Sequence, residues 1–328
     1  MALKKVRRIS KRVLIAGATG VIGRQMTTSL TEHGHTVAAL SRAPKNAATP
    51  EDSILTVRAD ALNAAELSTA VAEAAPEAVV NLLTAIPQQV DSRRVDREFT
   101  LTNRLRTLGT RNLIEASRAA DVRHHVAASL AYGYRPGSAG ELKTEESPWW
   151  TDGPAWFRPV VEALRELEER TLTEDGTVLR FGHLYGHGSA FAADGNFATQ
   201  VRKRMLPVVG GGNAVFSFIH AGDAAAAVVA ALEGPRGTVG GRPYNIVDDD
   251  PTPVSFWLPE YARMLGAKPP RRVPAWALRP VIGRYGVAFM NELAGADNSL
   301  VREQLSWSPQ HSSWRDGFAA ELTTGFSG

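Results

Sequence analysis

The chain has 328 residues, of which 44% are hydrophobic and 22% are charged, and its formal net charge is +3. A chain of this length suits one large domain or a domain with an added lobe. It contains no cysteine, which excludes disulfides, thiolate metal sites and a cysteine nucleophile and fits a reducing cytoplasm.

The first twelve positions carry six of the basic side chains. We interpret residues 1–12 as a solvated basic arm and expect no nucleic-acid partner, although the pI is about 9.2. No apolar run approaches the roughly 18 residues that span a bilayer. No signal-peptide core follows the basic start, because glycines interrupt the next apolar segment. We therefore expect a cytoplasmic protein with no membrane partner.

Strands and helices are predicted to alternate between residues 12 and 186. Short apolar runs predict strands at 12–17, 35–42, 54–60, 77–85, 123–129 and 177–186, and helical patterns lie at 23–34, 66–74, 101–120 and 160–172. Because helices of crossover length separate the strands, the sheet is predicted to be parallel and doubly wound, an α/β Rossmann arrangement.

The alternation weakens after residue 186, where glycine and proline become frequent. Further helices are predicted at 221–233 and 253–265. We therefore assign residues 13–186 to a Rossmann domain that is completed by parts of 214–250. Residues 187–328 are assigned mainly to a smaller C-terminal substrate-binding lobe.

The loop between the first strand and the first helix contains three regularly spaced glycines. In such a loop the first glycine makes a tight turn, the second lets the backbone approach a pyrophosphate, and the third lets the helix pack on the strand. The helix N-terminus then attracts the phosphates. This context predicts a dinucleotide site, against the alternative of a glycine turn that binds nothing. The residues expected to hold the cofactor here are Gly17, Thr19, Gly20, Val21, Ile22 and Gly23.

Cofactor choice is predicted from the end of the second strand. An acidic residue there would bond the ribose 2′-hydroxyl of NAD, but this chain has Ser41 and Arg42. A hydroxyl and a guanidinium suit a 2′-phosphate, so NADP(H) is favoured over NAD(H), unless Arg42 merely faces solvent. Four further strand-end residues are expected at the cofactor: Asp60 and Ala61 near the adenine, and Leu83 and Thr84 beside the pyrophosphate and ribose.

Several ordered motifs together resemble the extended short-chain dehydrogenase/reductases of the NAD-dependent epimerase/dehydratase type. They are "GATGVIGR", "GTRNLIEASRAADVRHHVAAS", "VLRFGHLYG", "FSFIHAGDAAAAVVAAL" and "SWSPQHSSWRDGF". The resemblance covers nearly the whole chain. It implies a Rossmann domain with a small C-terminal substrate lobe, an NAD(P) cofactor and a homodimer built from the helices near 100–120 and 158–173.

Members of that family carry Ser or Thr after the fifth strand and then Tyr-x-x-x-Lys on the next helix, where Tyr is the acid/base. Ser129 fits the hydroxyl position, or Ala128 if the register slips. The resemblance puts Val160 or Val161 in the place of Tyr, and Leu164 or Arg165 in the place of Lys, depending on whether Glu168 or Glu169 is the following glutamate. The chain is thus similar to an atypical subgroup that lacks the pair. Arg106 also stands where the family often has Asn.

Other groups are candidates to replace the missing acid. The catalytic residues we predict are Ser129, His183 and Tyr134. For His183 the alternative is a ring packed at a strand end, and for Ser129 it is a hydroxyl bonded to backbone. No metal site is predicted, because His124 and His125 have no third ligand near them in the sequence.

The leading prediction is an NADP(H)-binding enzyme that oxidises or reduces a carbonyl or alcohol of a small oxygenated molecule with an atypical proton donor. One alternative is a non-redox isomerase, dehydratase or cyclase on the same scaffold. Another is a dinucleotide-sensing regulatory or binding protein. The three tryptophans within 149–157 indicate a bulky or aromatic substrate, such as a natural-product intermediate, or else an interface.

Overall fold

The alternating strands and helices predicted for the first half of the chain are present. The computed structural model describes residues 10–42, 54–87, 90–138 and 140–324. In chain order this half contains β1 (Arg12–Ala16), α1 (Val21–Glu32), β2 (Thr36–Ser41), β3 (Ile54–Arg58), α2 (Ala64–Ala74), β4 (Ala78–Asn81), α3 (Val95–Glu98), α4 (Thr100–Arg104), a π-helical turn (Leu105–Gly109), α5 (Thr110–Ala119), β5 (His124–Leu130), α6 (Arg158–Thr173), β6 (Thr177–Phe181) and β7 (His183–Tyr185).

The second half alternates short strands with longer helices. Its elements are α7 (Asn196–Arg202), β8 (Val208–Val209), β9 (Val215–Phe216), β10 (Phe218–His220), α8 (Ala221–Glu233), α9 (Arg236–Val239), β11 (Arg242–Ile246), β12 (Thr252–Pro253), α10 (Val254–Met264), β13 (Arg272–Val273), α11 (Ala275–Asn291), α12 (Ser299–Leu305) and α13 (Trp314–Thr324). In the described part of the chain no helix combines the length and apolarity required to cross a bilayer.

Seven parallel strands form the central sheet in the order β11-β6-β5-β4-β1-β2-β3. β1 is buried from Val13 to Ala16, and all four residues of β4 are buried, as expected when helices cover both faces of a parallel sheet. The order reverses between β1 and β4, so a ligand crevice is expected at the carboxyl ends of these two strands. The predicted doubly wound α/β sheet is confirmed.

The boundaries differ from the prediction at several points, among them the end of β4 at Asn81 instead of residue 85 and the division of the helix predicted at 101–120 into α4, the π-helical turn and α5. β1 begins at Arg12, so the last residue of the predicted arm belongs to the sheet, and residues 1–9 lie outside the described part. The predicted strand 177–186 is two strands that separate at Gly182, where the Gly182 N–H donates to the Ile246 carbonyl of β11 and the next N–H, that of His183, donates to the Ser217 carbonyl. Only glycine fits here, since a Cβ at this position would lie 2.5 Å from the Ser217 carbonyl oxygen. The chain leaves the main sheet at this contact, and β7 pairs with β10 instead.

The C-terminal lobe packs on the sheet through an aromatic core. That core contains Trp257, Trp314, Tyr185, Phe216 and Phe218, all fully buried. The inner face of α6 belongs to the same cluster. The lobe therefore covers the part of α6 on which the family resemblance places the proton-transfer pair.

Candidate active site

The glycine loop after β1 has the close contacts that its sequence predicted. Gly17 has φ of +100°, and a Cβ there would lie 2.8 Å from the carbonyl oxygen of Leu82. A Cβ at Gly23 would lie 2.3 Å from the carbonyl oxygen of Gly17. Gly20 is different, since its Cβ would meet only that same oxygen, at 3.3 Å. The turn and the helix contact therefore require glycine, while the space beside Gly20 is open.

Gly20 is also the N-cap of α1, and no side chain caps this end. The first turn holds no acidic residue. A helix start without a side-chain cap or a negative charge leaves its N–H groups to an anion such as a pyrophosphate. Thr19 is exposed, while Val21 and Ile22 are half-buried, so the loop borders solvent where a dinucleotide would lie.

The other residues predicted at the cofactor lie at the same edge of the sheet. Ser41 ends β2 and is half-buried, and Arg42 is exposed. The carboxylate of Asp60 accepts a hydrogen bond of 2.9 Å from the Leu62 N–H. Residues 43–53, which follow Arg42, lie outside the described part of the chain. Ser41, the last residue of β2, and Arg42, the residue after it, thus lie at the carboxyl edge of the sheet, on the strand next to β1.

The remaining three predicted cofactor positions differ in accessibility. Ala61 is buried, and its carbonyl accepts a 2.9 Å hydrogen bond from Asn112 Nδ2. Leu83 is half-buried, and its N–H donates to Asn81 Oδ1 over 3.2 Å. Thr84 is exposed. Thr84 and Leu83 follow the strand end against which Gly17 packs, so they adjoin the loop.

The inner face of α6 is apolar at the positions where the family resemblance places Tyr and Lys. Val160, Val161 and Leu164 are buried in the core shared with the lobe, and the sequence of α6 contains neither Tyr nor Lys. Arg165 is exposed and is not part of this buried face. Glu168 is buried in an ion pair, which favours the register that aligns Leu164 with Lys and Val160 with Tyr.

Tyr134, the third predicted catalytic residue, is buried. Its hydroxyl donates a 2.6 Å hydrogen bond to Asn245 Oδ1 and accepts one of 2.8 Å from Arg180 Nη1. Burial raises the pKa of Tyr134 to about 12, against the opposing effect of Arg180. A hydroxyl that is held on both sides with a raised pKa is a poor proton donor, so we do not retain Tyr134 as the catalytic acid.

His183 lies between two aromatic rings at the start of β7. Its ring stacks on Phe216 with 3.8 Å between centroids and on Tyr132 with 4.3 Å. Nδ1 lies 3.3 Å from the carbonyl oxygen of Ser217, which assigns the ring proton to Nδ1. Burial lowers the pKa of His183 to about 3. The imidazole is therefore neutral at physiological pH and has no proton to lend as an imidazolium.

This burial predicts how stability depends on pH. The pKa of His183 is about 3 in the fold, against about 6.5 in an unfolded chain, so the unfolded chain takes up a proton first as the pH falls. The unfolded chain is therefore favoured as the pH falls below about 6.5, and His183 lowers the free energy of unfolding by about 2 kcal/mol from pH 7 to pH 5. Urea denaturation should show the stability gap between the wild type and His183→Gln shrinking by that amount at pH 5. A gap that is constant with pH would mean that His183 can be protonated in the fold.

Ser129 lies near the carboxyl end of β5, on the face that α6 covers. It pairs in register with Arg180, whose side chain reaches Glu168 of α6. Ala128 packs against the opposite cluster, so Ser129 and not Ala128 faces α6. Ser129 is 2% exposed, and its buried hydroxyl has no hydrogen-bond partner among the described residues. Ser129 thus lies at the end of the fifth strand, as predicted for the hydroxyl residue, but no base is hydrogen-bonded to it among the described residues.

The tryptophans of 149–157 are mainly structural. Trp149 lies under the Arg180 guanidinium, 4.8 Å from it, and Trp150 is in the lobe core. Trp156 is 38% exposed and packs beside Gly283 of α11. The tryptophans therefore give little support to an aromatic substrate.

One residue of this region was noted in the sequence only as a departure from the family. Arg106 lies in the π-helical turn before α5 and is buried. Its side chain lies close to Tyr132, next to the stacked rings of His183 and Phe216. A π-turn interrupts a helix and is frequent at functional sites, but no residue pattern in this segment distinguishes it from an ordinary helix.

Comparisons with known proteins agree with this architecture. A sequence profile of the NAD-dependent epimerase/dehydratase family matches residues 13–247. A 3-diazoavenalumate denitrifying reductase from a Streptomyces species is 42% identical, covering 94% of this chain and 100% of the relative. A dTDP-4-dehydrorhamnose reductase from Streptomyces griseus is 29% identical over 84% of each chain.

Solved structures share the fold over almost the whole chain. The UDP-glucose 4-epimerase of Thermotoga maritima superposes with a TM-score of 0.74 at 19% identity, covering 96% of this chain and 98% of that one. The dTDP-glucose 4,6-dehydratase of Streptomyces venezuelae, solved with NAD bound, also has a TM-score of 0.74, at 20% identity over 95% and 96% of the chains. Together these matches show that the chain belongs to the NAD-dependent epimerase/dehydratase family and is an NAD(P)-dependent oxidoreductase.

Proposed function

We propose that the protein is an NAD(P)H-dependent reductase that delivers a hydride to an aromatic diazo acid and releases dinitrogen. The observation that carries this proposal is the buried, aliphatic face of α6, at the positions where the family resemblance places the proton-transfer pair. The relative that is 42% identical across this chain is named as a reductase that removes nitrogen from a diazo acid.

The proposed chemistry explains why a proton donor is dispensable. Reduction of a carbonyl leaves an alkoxide, and an enzyme must protonate it with a positioned acid. In the diazonium form of the substrate, the C–N bond breaks with its electron pair going to dinitrogen, and the hydride pair forms a C–H bond at the same carbon. Nicotinamide is oxidised, the substrate carbon is reduced, and no proton is required.

The candidate acids of the site support this choice. Tyr134 is bonded on both sides, and His183 is neutral within an aromatic stack. Ser129 has no neighbouring base among the hydrogen bonds of the described residues. A site with these groups is better suited to positioning a planar substrate and excluding water than to moving a proton. We therefore favour dinitrogen displacement over the carbonyl chemistry expected from the sequence.

For the cofactor we propose NADP(H). The support is Ser41 at the end of β2, followed by the exposed Arg42, with no acidic residue at either position to bond a ribose 2′-hydroxyl. When bound, the nicotinamide supplies the hydride. The glycine loop and the start of α1 would hold its pyrophosphate. A homodimer built from the helices near 100–120 and 158–173 and a cytoplasmic location remain predictions of the sequence.

The test uses a cinnamate with a ring diazonium group labelled with ¹⁵N and NADPH carrying deuterium at the transferable position. We expect one deuterium on the ring carbon and one labelled dinitrogen for each NADPH oxidised, with NADH less effective. Loss of dinitrogen in water without the enzyme gives the phenol instead and provides the blank. Conversion without net NADPH oxidation would indicate the non-redox alternative. NADPH binding without any turnover would indicate a dinucleotide sensor, and faster reduction of the matching aldehyde would indicate carbonyl chemistry.

A further inference from the structure

Arg106 lies on the helix face that contacts the carboxyl end of β4. One turn before it, the Thr102 hydroxyl accepts a 3.1 Å hydrogen bond from the Ala85 N–H. One turn after it, the Thr110 hydroxyl accepts a 2.9 Å bond from Asn81 Nδ2. Residues about one turn apart share a helix face, so the Arg106 side chain is directed toward the strand end between these two contacts. This is the edge of the sheet at which the glycine loop lies.

The guanidinium of Arg106 is buried without a carboxylate partner. Arg106 is only 3% exposed. Its Nη1 donates one long hydrogen bond, of 3.4 Å, to Asn103 Oδ1. Among the described residues no Asp or Glu forms an ion pair with it. The buried Arg180, by contrast, has Glu168 at 2.6 Å and 2.9 Å.

The charge of Arg106 persists despite its burial. Burial lowers its pKa to about 10, with the nearby Tyr132 opposing this, so the guanidinium is protonated at neutral pH. A buried cation without a counter-charge is strongly unfavourable, and proteins avoid it unless an anion completes the site. The missing partner is therefore expected to be a bound ligand.

The neighbours of Arg106 indicate what kind of ligand this is. Tyr132 is half-buried, and its ring continues the stack formed by His183 and Phe216. A cation next to a stack of flat rings matches a planar molecule with a negatively charged oxygen. Guanidinium groups bind such oxyanions through two parallel N–H donors.

We propose that Arg106 is the binding residue for an oxyanion of the aromatic substrate, and that this ion pair orients the substrate on the Tyr132 ring. The proposal rests on the proposed function for the aromatic acid as ligand. It requires no step of the reduction, so binding alone can test it. Both a carboxylate and a phenolate have the required chemistry.

Binding is measured by calorimetry on the NADPH-loaded protein with cinnamate, with 4-nitrophenolate at mildly alkaline pH, and with the neutral cinnamamide. We expect at least one of the two anions to bind better than cinnamamide, and which anion does so identifies the source of the oxyanion. Arg106→Met should weaken the binding of that anion by about 10- to 100-fold and leave the affinity for cinnamamide unchanged. Arg106→Lys should keep part of the preference for the anion over cinnamamide. Arg104→Met, an exposed arginine of α4, is the matched control and should bind like the wild type.

Thermal denaturation of the ligand-free protein separates binding from a structural role. If the cation is uncompensated, Arg106→Met should raise the denaturation midpoint, and cinnamate or 4-nitrophenolate should raise the wild-type midpoint but not that of the variant. A lowered midpoint together with unchanged anion binding would overturn the proposal. So would equal binding of the anions and cinnamamide by the wild type. Anion selectivity without dinitrogen release would contradict the proposed reaction and leave the Arg106 site supported.

Discussion

Replacing Glu168 by glutamine is expected to lower the free energy of unfolding by about 3–5 kcal/mol. Glu168 accepts two hydrogen bonds from Arg180, of 2.6 Å and 2.9 Å, and both side chains are 5% exposed. Removing one charge of a buried pair leaves the other without compensation in a medium that solvates it poorly. Urea denaturation at neutral pH measures the loss.

The matched control for this variant lies half a turn away on the same helix. Glu166 pairs with Arg170 at 2.8 Å, but the two side chains are 41% and 38% exposed. Solvent screens such a pair, so Glu166→Gln should change the free energy of unfolding by less than about 0.5 kcal/mol. Equal losses in the two variants would mean that burial does not determine the contribution of the Arg180 pair.

A second large effect is expected at the third glycine of the loop. In Gly23→Ala the new Cβ would lie 2.3 Å from the carbonyl oxygen of Gly17 and 2.7 Å from Ala18 backbone atoms. Backbone atoms cannot turn aside as a side chain does, so α1 must shift away from the loop. We expect the free energy of unfolding to fall by about 1–3 kcal/mol and NADPH binding to weaken at least about 10-fold.

Calorimetry with NADPH and urea denaturation check this result. Gly237→Ala serves as the control, because nothing lies within 4 Å of a Cβ at that position of α9. It should bind NADPH like the wild type. Normal NADPH affinity in Gly23→Ala would show that the loop after β1 does not hold the dinucleotide.

The sequence predicted those features that depend on local patterns. Apolar runs and glycine spacing located the strands, the first helix and the phosphate loop, because hydrophobic periodicity and turn-forming residues depend on only a few neighbouring positions. The seventh strand, β11, was not predicted as a strand, although parts of 214–250 were assigned to the Rossmann domain, because its sequence RPYNI contains Arg, Pro and Asn and forms no apolar run. The break at Gly182 depends on a distant carbonyl, that of Ser217.

The candidate acids show the limit of sequence reasoning most clearly. His183 and Tyr134 have titratable groups that suit proton transfer, and their positions in the sequence allow it. Burial decides whether either group carries a proton. Asn245 and Arg180 enclose Tyr134, Phe216 covers His183, and these neighbours are distant in sequence. A pKa depends on solvation and on nearby charges, and neither can be read from adjacent residues.

By itself, the sequence indicated a Rossmann enzyme that resembles the epimerase/dehydratase family and whose α6 segment contains neither Tyr nor Lys. Only the tertiary structure decided what surrounds this face of α6. Val160 and Leu164 lie in an aliphatic core, and Arg106 is buried. The physical reason is that identity and spacing along a chain set local conformation, whereas burial and charge compensation arise only when distant segments pack together.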